Sequence, residues 1–446
     1  MLDSILEELT HAEHLMYQAR FEDALKILTN LEKKETSITK EQLSILILKG
    51  KICCYKEQYK IAVEIGEKAY QLSQKLGIIS KIIDSLLLKA HIVFLGMLEK
   101  ALEHISEAEG LLNSMSDKSS SEFLKFKAKF LLIKSIACHY TADHNKALEL
   151  AQEWLVIREK LNEKLDIALI YCQIADIYNF KSDPTTALDY AMKSFAIQEE
   201  LQNQIGIATS LYLIGLSYFN KGHFDQALKS VKQSLTIREI STSTKLQSIH
   251  LLGAIYKEKG ELDRTLKYYI RAARLAEQEG YVEDFLENTM GIGATYRMKG
   301  NLEKATEYLQ NSMELSEKYK VPYGIRTSLF YLILTSLDKN SLNQAQLYLK
   351  RLEEFAPQNE SRIFNQVHLI SKALVLKKSG RLRNRTEAEL LLKQITEDEI
   401  SSPHLYLLAL VNLCELFLEE LDMTNNSEVL DELNPLIAQL SNIAKD

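Results

Sequence analysis

One phrase recurs along the middle of this chain, between Ala175 and Tyr296 and a little beyond. A small residue is followed by an aromatic, then by glycine or serine, then by alanine or threonine. Its strongest copies are Gly215, Tyr218, Gly222, Ala227; Gly253, Tyr256, Gly260, Thr265; and Gly293, Tyr296, Gly300, Ala305. The tyrosines Tyr178, Tyr218, Tyr256 and Tyr296 stand 40, 38 and 40 residues apart. A fixed period of this length marks a stack of supersecondary units. Such stacks present extended surfaces instead of assembling one catalytic cleft.

The last position of the phrase can be followed outward as an anchor: Ala24, Ala62, Ala101, Ala147, Ala187, Ala227, Thr265, Ala305 and Ala345, with Arg385 or Ala388 next. Intervals run from 38 to 40 except for 46 between Ala101 and Ala147, where the polar run from Asn113 to Ser121 reads as a loop insertion. Twelve residues before seven of these anchors sits a small residue: Ala12, Gly50, Ser135, Ala175, Gly215, Gly253 and Gly293. Glycine inside a helix costs roughly 1 kcal/mol against alanine. Its return at one register therefore implies two helices in close approach. Gly222, Gly260 and Gly300 fall where a left-handed residue closes the first helix, and Asp183-Pro184 opens a second helix with a cap and a preset φ. With only 5 prolines in 446 residues and 46% hydrophobic composition, the chain reads as all-α. The boundaries expected are repeats over 1–113, the loop over 114–121, well-formed repeats over 122–362, and decayed repeats with capping helices over 363–446, in one continuous array. Pro403 to Asp446 reads as two helices separated near Asn425-Asn426.

These units resemble tetratricopeptide repeats, whose small, aromatic, glycine and alanine positions match Gly215, Tyr218, Gly222 and Ala227. The longer period is similar to the repeats of kinesin light chains and of bacterial peptide-sensing regulators. The resemblance implies a solenoid of about 10–11 antiparallel helix pairs in a right-handed superhelix. It also implies a concave groove, lined by the first helix of each pair, that takes a protein or peptide partner. By register the groove residues are Tyr140, Asp176, Asn179, Phe180, Tyr212, Phe219, Asn220, His250, Lys257, Met290 and Arg297. Lys129 and Thr209 fall on the same face. Aromatics give contact area at low entropy cost, methionines adapt, and amides suit a peptide backbone. The lysine–asparagine set with which some relatives hold a C-terminal carboxylate is not evident.

Other signals are weaker. Net charge is −7 with no basic stripe, which argues against nucleic acid. The one basic concentration, Lys377, Lys378, Arg381, Arg383 and Arg385, reads as a solvated face or as a patch for an acidic partner. His11 and His14 share a helical face without further ligands, and the five cysteines show no metal spacing, so no metal or cofactor is expected. Gly291-Ile292-Gly293 lacks the third glycine and preceding strand of a dinucleotide loop. Ser, His and Asp stand in no nucleophile–base register. No apolar run reaches membrane-spanning length and the acidic N-terminus is unlike a signal peptide, so a cytoplasmic protein is expected. The run Leu405 to Leu410 is a candidate for self-association. The leading expectation is a non-catalytic adaptor or scaffold. The alternative is a peptide-sensing regulator whose superhelix changes shape on binding; the repeat register already running from Ala12 to Ala24 leaves no room for an effector domain there, which favours the adaptor.

Overall fold

The computed structural model describes residues 2–34, 40–95, 97–115, 118, 120–141, 143–161, 163–355, 362–397 and 403–443. Among these are 22 α-helices, a 3-10 turn at His91–Leu95, and no strand. Of the polar insertion, residues 116, 117 and 119 lie outside the described residues. No described helix is long and apolar enough to cross a membrane.

The chain divides into two compact units, Met1–Asp284 and Phe285–Asp446. The first holds α1 (Leu2–Tyr17), α2 (Phe21–Lys34), α3 (Lys40–Tyr55), α4 (Tyr59–Leu76), α5 (Ile79–Ala90), α6 (Leu98–Asn113), α7 (Ser121–Tyr140), α8 (His144–Leu161), α9 (Lys164–Phe180), α10 (Pro184–Glu200), α11 (Gln204–Asn220), α12 (Phe224–Thr236), α13 (Thr242–Glu258) and α14 (Leu262–Glu279). The second holds most of α15 (Val282–Met298), then α16 (Leu302–Tyr319), α17 (Pro322–Asp338), α18 (Leu342–Glu354), α19 (Arg362–Lys378), α20 (Leu382–Glu397), α21 (Pro403–Thr424) and α22 (Val429–Ile443). Odd-numbered helices are the first members of each pair. They are the more apolar: α11 carries no charge, whereas α14 is charged along one side. A helix apolar on most sides is one packed between neighbours, and an amphipathic one lies outside them.

The anchors behave as their register requires. Ala24, Ala62, Ala101, Ala147, Ala187, Ala227, Thr265, Ala305 and Ala345 are all 0% exposed, and so is Ala388, which continues the series in preference to half-buried Arg385. The small partner residues meet the second helix at close range, one turn past the anchor. A Cβ on Gly215 would stand 2.5 Å from Val231 Cγ2, and one on Gly293 would stand 2.7 Å from Leu309 Cγ. Ser135 uses the approach instead, donating its hydroxyl to the Ala147 carbonyl at 2.7 Å. Gly222, Gly260 and Gly300 take φ of 73°, 73° and 74°. The amide after each returns to the tyrosine of the phrase: His223 to Tyr218, Glu261 to Tyr256 and Asn301 to Tyr296. Asp183 caps α10 by accepting from the Thr186 amide at 3.1 Å. The tyrosines have a second role. Tyr178 stacks on Tyr190, Tyr256 on Tyr268 and Tyr296 on Tyr308, at ring separations of 6.0, 5.4 and 5.6 Å.

In the first unit the N-terminal helices also fold back onto later ones. Leu165 of α9 is buried in one cluster with Ile5, Leu9, Ile45 and Ile52, and Leu201 packs against it. In the second unit the cores run from neighbour to neighbour, Leu309 to Val375 and then Phe330 to Leu433. Leu405 and Ala409 belong to that second core and Leu410 is also buried, leaving Leu407 as the exposed leucine of the run proposed for self-association.

Candidate functional site

The expected groove residues of the first unit lie on α9, α11 and α13, apart from Tyr140 at the end of α7. Two amides join neighbouring first helices: Asn220 Nδ2 donates to Asn179 Oδ1 at 3.2 Å. Asn179 is 6% exposed, and its own Nδ2 is buried with no acceptor. A buried amide hydrogen without a partner is costly and awaits an acceptor. Beside it Phe180 is 62% exposed, its ring edge-on to His139 at 4.7 Å. Asp176 Oδ2 lies 3.3 Å from His139 Nε2, and the Nδ1 atoms of His139 and His144 approach to 3.2 Å. Burial, then the neighbouring His139, push the His144 pKa down. The result is an aromatic, amide-bearing strip with little net charge.

The remaining candidates are less free than their register suggests. Tyr212 and Phe219 are half-buried against the cluster of Ala227, Val231 and Leu251, with Phe219 5.9 Å from Phe224. His250 tilts over Tyr269 at 5.3 Å. Lys257 stays half-exposed, 3.2 Å from Glu258. The side chain of Tyr140 lies outside the described residues. In the second unit Met290 is 4% exposed and so belongs to the interior, because its place in the register also faces a neighbouring helix; the expected surface contact is corrected to a core one. Arg297 Nε lies 2.6 Å from Asp338 Oδ2. The basic concentration is divided: Lys377 reaches Asn412 Oδ1 at 2.9 Å and Glu415 at 2.5 Å, and Arg385 reaches Glu419 at 2.5 Å, one repeat further on. Lys378, Arg381 and Arg383 remain exposed. Among the described residues no three His, Cys, Asp or Glu side chains are grouped to hold a metal.

Further toward the N-terminus the first-helix side carries buried ions. Lys129 Nζ donates to Asp84 Oδ1 at 2.6 Å, with Lys51 Nζ 3.9 Å from the same oxygen. Burial opposes the Asp84 charge, but Lys129 and Lys51 outweigh it and bring the pKa down to about 2. A second network spans a much greater length of chain. Arg158 Nε lies 2.8 Å from Asp166 Oδ2, Arg158 also pairs with Glu163, and the Tyr55 hydroxyl donates to Asp166. Two residues past Tyr55, the Glu57 carboxylate accepts from Thr209, Ser241 and Thr244. The register had no means of naming Tyr55, Glu57 or Asp166. One signal was present, however. Glu57 occupies the left-handed turn position, φ 53°, that glycine takes at Gly222, Gly260 and Gly300, although Ala19, Ser182 and Asn340 take it as well.

The family model for MalT-like TPR regions matches residues 166–444. No curated protein sequence matches the chain. Among solved structures, a Rap protein complexed with Competence and Sporulation Factor is similar at 11% identity and TM-score 0.54, over 88% of this chain and 96% of that one. NprR in complex with its cognate peptide NprX is similar at 15% identity and TM-score 0.52, over 78% and 99%. A signal-transduction ATPase with numerous domains from Pyrococcus horikoshii, carrying a tetratricopeptide repeat sensor, matches at 18% identity and TM-score 0.53 over 76% of this chain; the match spans about half, 52%, of that protein. At these identities the likeness is one of fold.

Proposed function

The chain belongs to the family of MalT-like TPR regions, and from that premise we propose that it is a non-catalytic binding module. It takes a peptide or helical segment of a protein partner on the first-helix face of its first unit. The observation that carries this reading is the Asn179–Asn220 pair: two amides bridge adjacent first helices, with one buried N–H left over beside an exposed phenylalanine. A peptide carbonyl would satisfy that hydrogen, and an apolar side chain of the same peptide would cover Phe180. The fold is one on which NprR holds its cognate peptide.

The test is selection of random dodecapeptides displayed on phage against the whole chain. Enriched peptides are expected, and the double substitution Phe180→Ala with Asn220→Ala, at two exposed positions, should weaken their binding at least about tenfold without lowering the melting temperature. An absence of enriched peptides, or binding indifferent to the double substitution, sinks the reading. A second reading, a regulator whose first unit changes conformation on binding, is favoured by the contacts that tie α3 and the turn after it to α9, α11 and α13 across the same face.

A further inference from the structure

Peptide binding by itself gives no role to Glu57, yet its carboxylate is the most elaborately received side chain on this face. Thr209 Oγ1 donates to Oε1 at 2.8 Å, Thr244 Oγ1 donates to Oε2 at 3.1 Å, and Ser241 Oγ donates to Oε2 as well. Ser241 is also the N-cap of α13, accepting from the Thr244 amide at 3.1 Å. The negative charge therefore sits at the positive end of a helix. The Thr209 and Thr244 hydroxyls lie 3.0 Å apart, so the donors of α11 and α13 form one cluster. Ser241 and Thr244 are buried, and no cation is needed to hold the anion there. Thr209 is one turn ahead of Tyr212 on α11, which places the cluster along the face that also carries Phe219 and Asn220.

We propose that Thr209, Ser241 and Thr244 form a carboxylate-binding subsite, filled in the free chain by Glu57 and taken over by an aspartate or glutamate side chain of the bound peptide. The inference rests on the peptide-binding reading and adds to it the charge of the ligand and the contact that the ligand breaks. Hydroxyl donors around two oxygens match the acceptor-only character of a carboxylate. The present occupant is an intramolecular one. Tethered carboxylates act at high effective concentration, so a free acid does not displace it, whereas a peptide already held at Asn179 and Phe180 does. Displacement frees the turn after Tyr55 and, with it, the attachment of α3 to α11 and α13.

The experiment uses the whole chain as wild type, Glu57→Gln, Glu57→Ala, and Thr209→Val with Thr244→Val. Hydrogen exchange reads the contact without any ligand: both Glu57 variants should exchange about tenfold faster than wild type over residues 40–58, with residues 302–352 unchanged. Selection of the same displayed dodecapeptides reads the subsite. Peptides from either Glu57 variant should show Asp or Glu at one fixed position, about fivefold above its library frequency, and the valine variant should lose that preference while retaining the rest of the motif. Glu57→Gln keeps the side chain's shape and guards against a misfolded alanine variant. Unchanged exchange over residues 40–58, or peptides enriched with no acidic position, overturns the inference and leaves the peptide-binding reading standing. No enrichment on any variant overturns both.

Discussion

The two units share one repeat but are held together differently. In the second unit polar side chains reach one repeat along: Arg297 to Asp338, Gln310 to Tyr348, Arg351 to Glu317, Lys377 to Glu415, Arg385 to Glu419 and Lys393 to Glu432. The first unit has such pairs too, Lys56 to Glu22 and Lys259 to Asp225 among them, and adds bonds between residues 111, 152, 184 and 187 positions apart. A stack joined only through neighbours has a stability that sums repeat and interface terms, and it frays locally. Bonds from Tyr55 of α3 to α9, and from Glu57 in the turn after it to the α11 and α13 region, make intervening repeats depend on each other. The contrast teaches that in this chain the conformation of the proposed binding face is linked to the N-terminal helices, not to the repeat alone.

The largest expected effect tests that link directly. Asp166 is buried and holds both Arg158 and the Tyr55 hydroxyl. Asp166→Ala leaves a buried guanidinium short of a partner, which costs about 3–5 kcal/mol. The matching control, Arg385→Ala in the second unit, breaks a pair whose glutamate is exposed and should cost about 0–1 kcal/mol. Trp154 is the sole tryptophan and is fully buried in α8, so its fluorescence follows the first unit while circular dichroism follows both. The fluorescence midpoint in urea should fall sharply for Asp166→Ala and hardly at all for Arg385→Ala. Equal shifts would erase the contrast.

Next in size comes the anchor, which the units have in common. Ala227→Leu and Ala345→Leu each force a larger side chain into a fully buried place and should cost about 1–3 kcal/mol. What should differ is the spread. Faster hydrogen exchange from Ala345→Leu should stay within neighbouring helices, whereas that from Ala227→Leu should reach residues 40–58. If both stay local, the long bonds of the first unit carry little cooperativity.

The anchors show what a sequence of this kind discloses. Ala227, Gly215 and Gly222 were legible because a packing requirement that recurs every repeat leaves a periodic trace, and the structure places them at the core, the close approach and the left-handed turn in turn. The tyrosine stack was equally periodic, since Tyr190, Tyr268 and Tyr308 hold one register, but only the structure gave the ring partners. Of the residues assigned to the groove, Phe180 and Asn220 are exposed, whereas Met290 is buried, because first helices have neighbours on more than one side. Tyr55, Glu57, Asp166 and Thr244 were out of reach. Each meets its partner across several repeats, so no period relates them, and an αL glutamate at a turn is only a local irregularity until its side chain has somewhere to go.

The smallest effect is one of pH, and it too divides the units. His91 Nδ1 donates to the Leu87 carbonyl at 2.8 Å, and burial pushes its pKa from 6.5 down to about 4. Burial lowers His104 and His144 as well, all three in the first unit. Between the two pKa values the unfolded chain binds the proton and the folded chain does not, so stability is present above pH 6.5 and is lost as the pH falls toward about 4. Glu163, raised by burial, works the other way and trims the slope. From pH 7 to pH 5 the first unit should lose on the order of 1 kcal/mol, read as a lower urea midpoint of Trp154 fluorescence. His91→Gln removes the titrating group while keeping a donor, so it should flatten that dependence; a slope unchanged in the variant would assign the loss elsewhere. The direction bears on the comparison, because acid would then loosen the unit on which the peptide face is proposed.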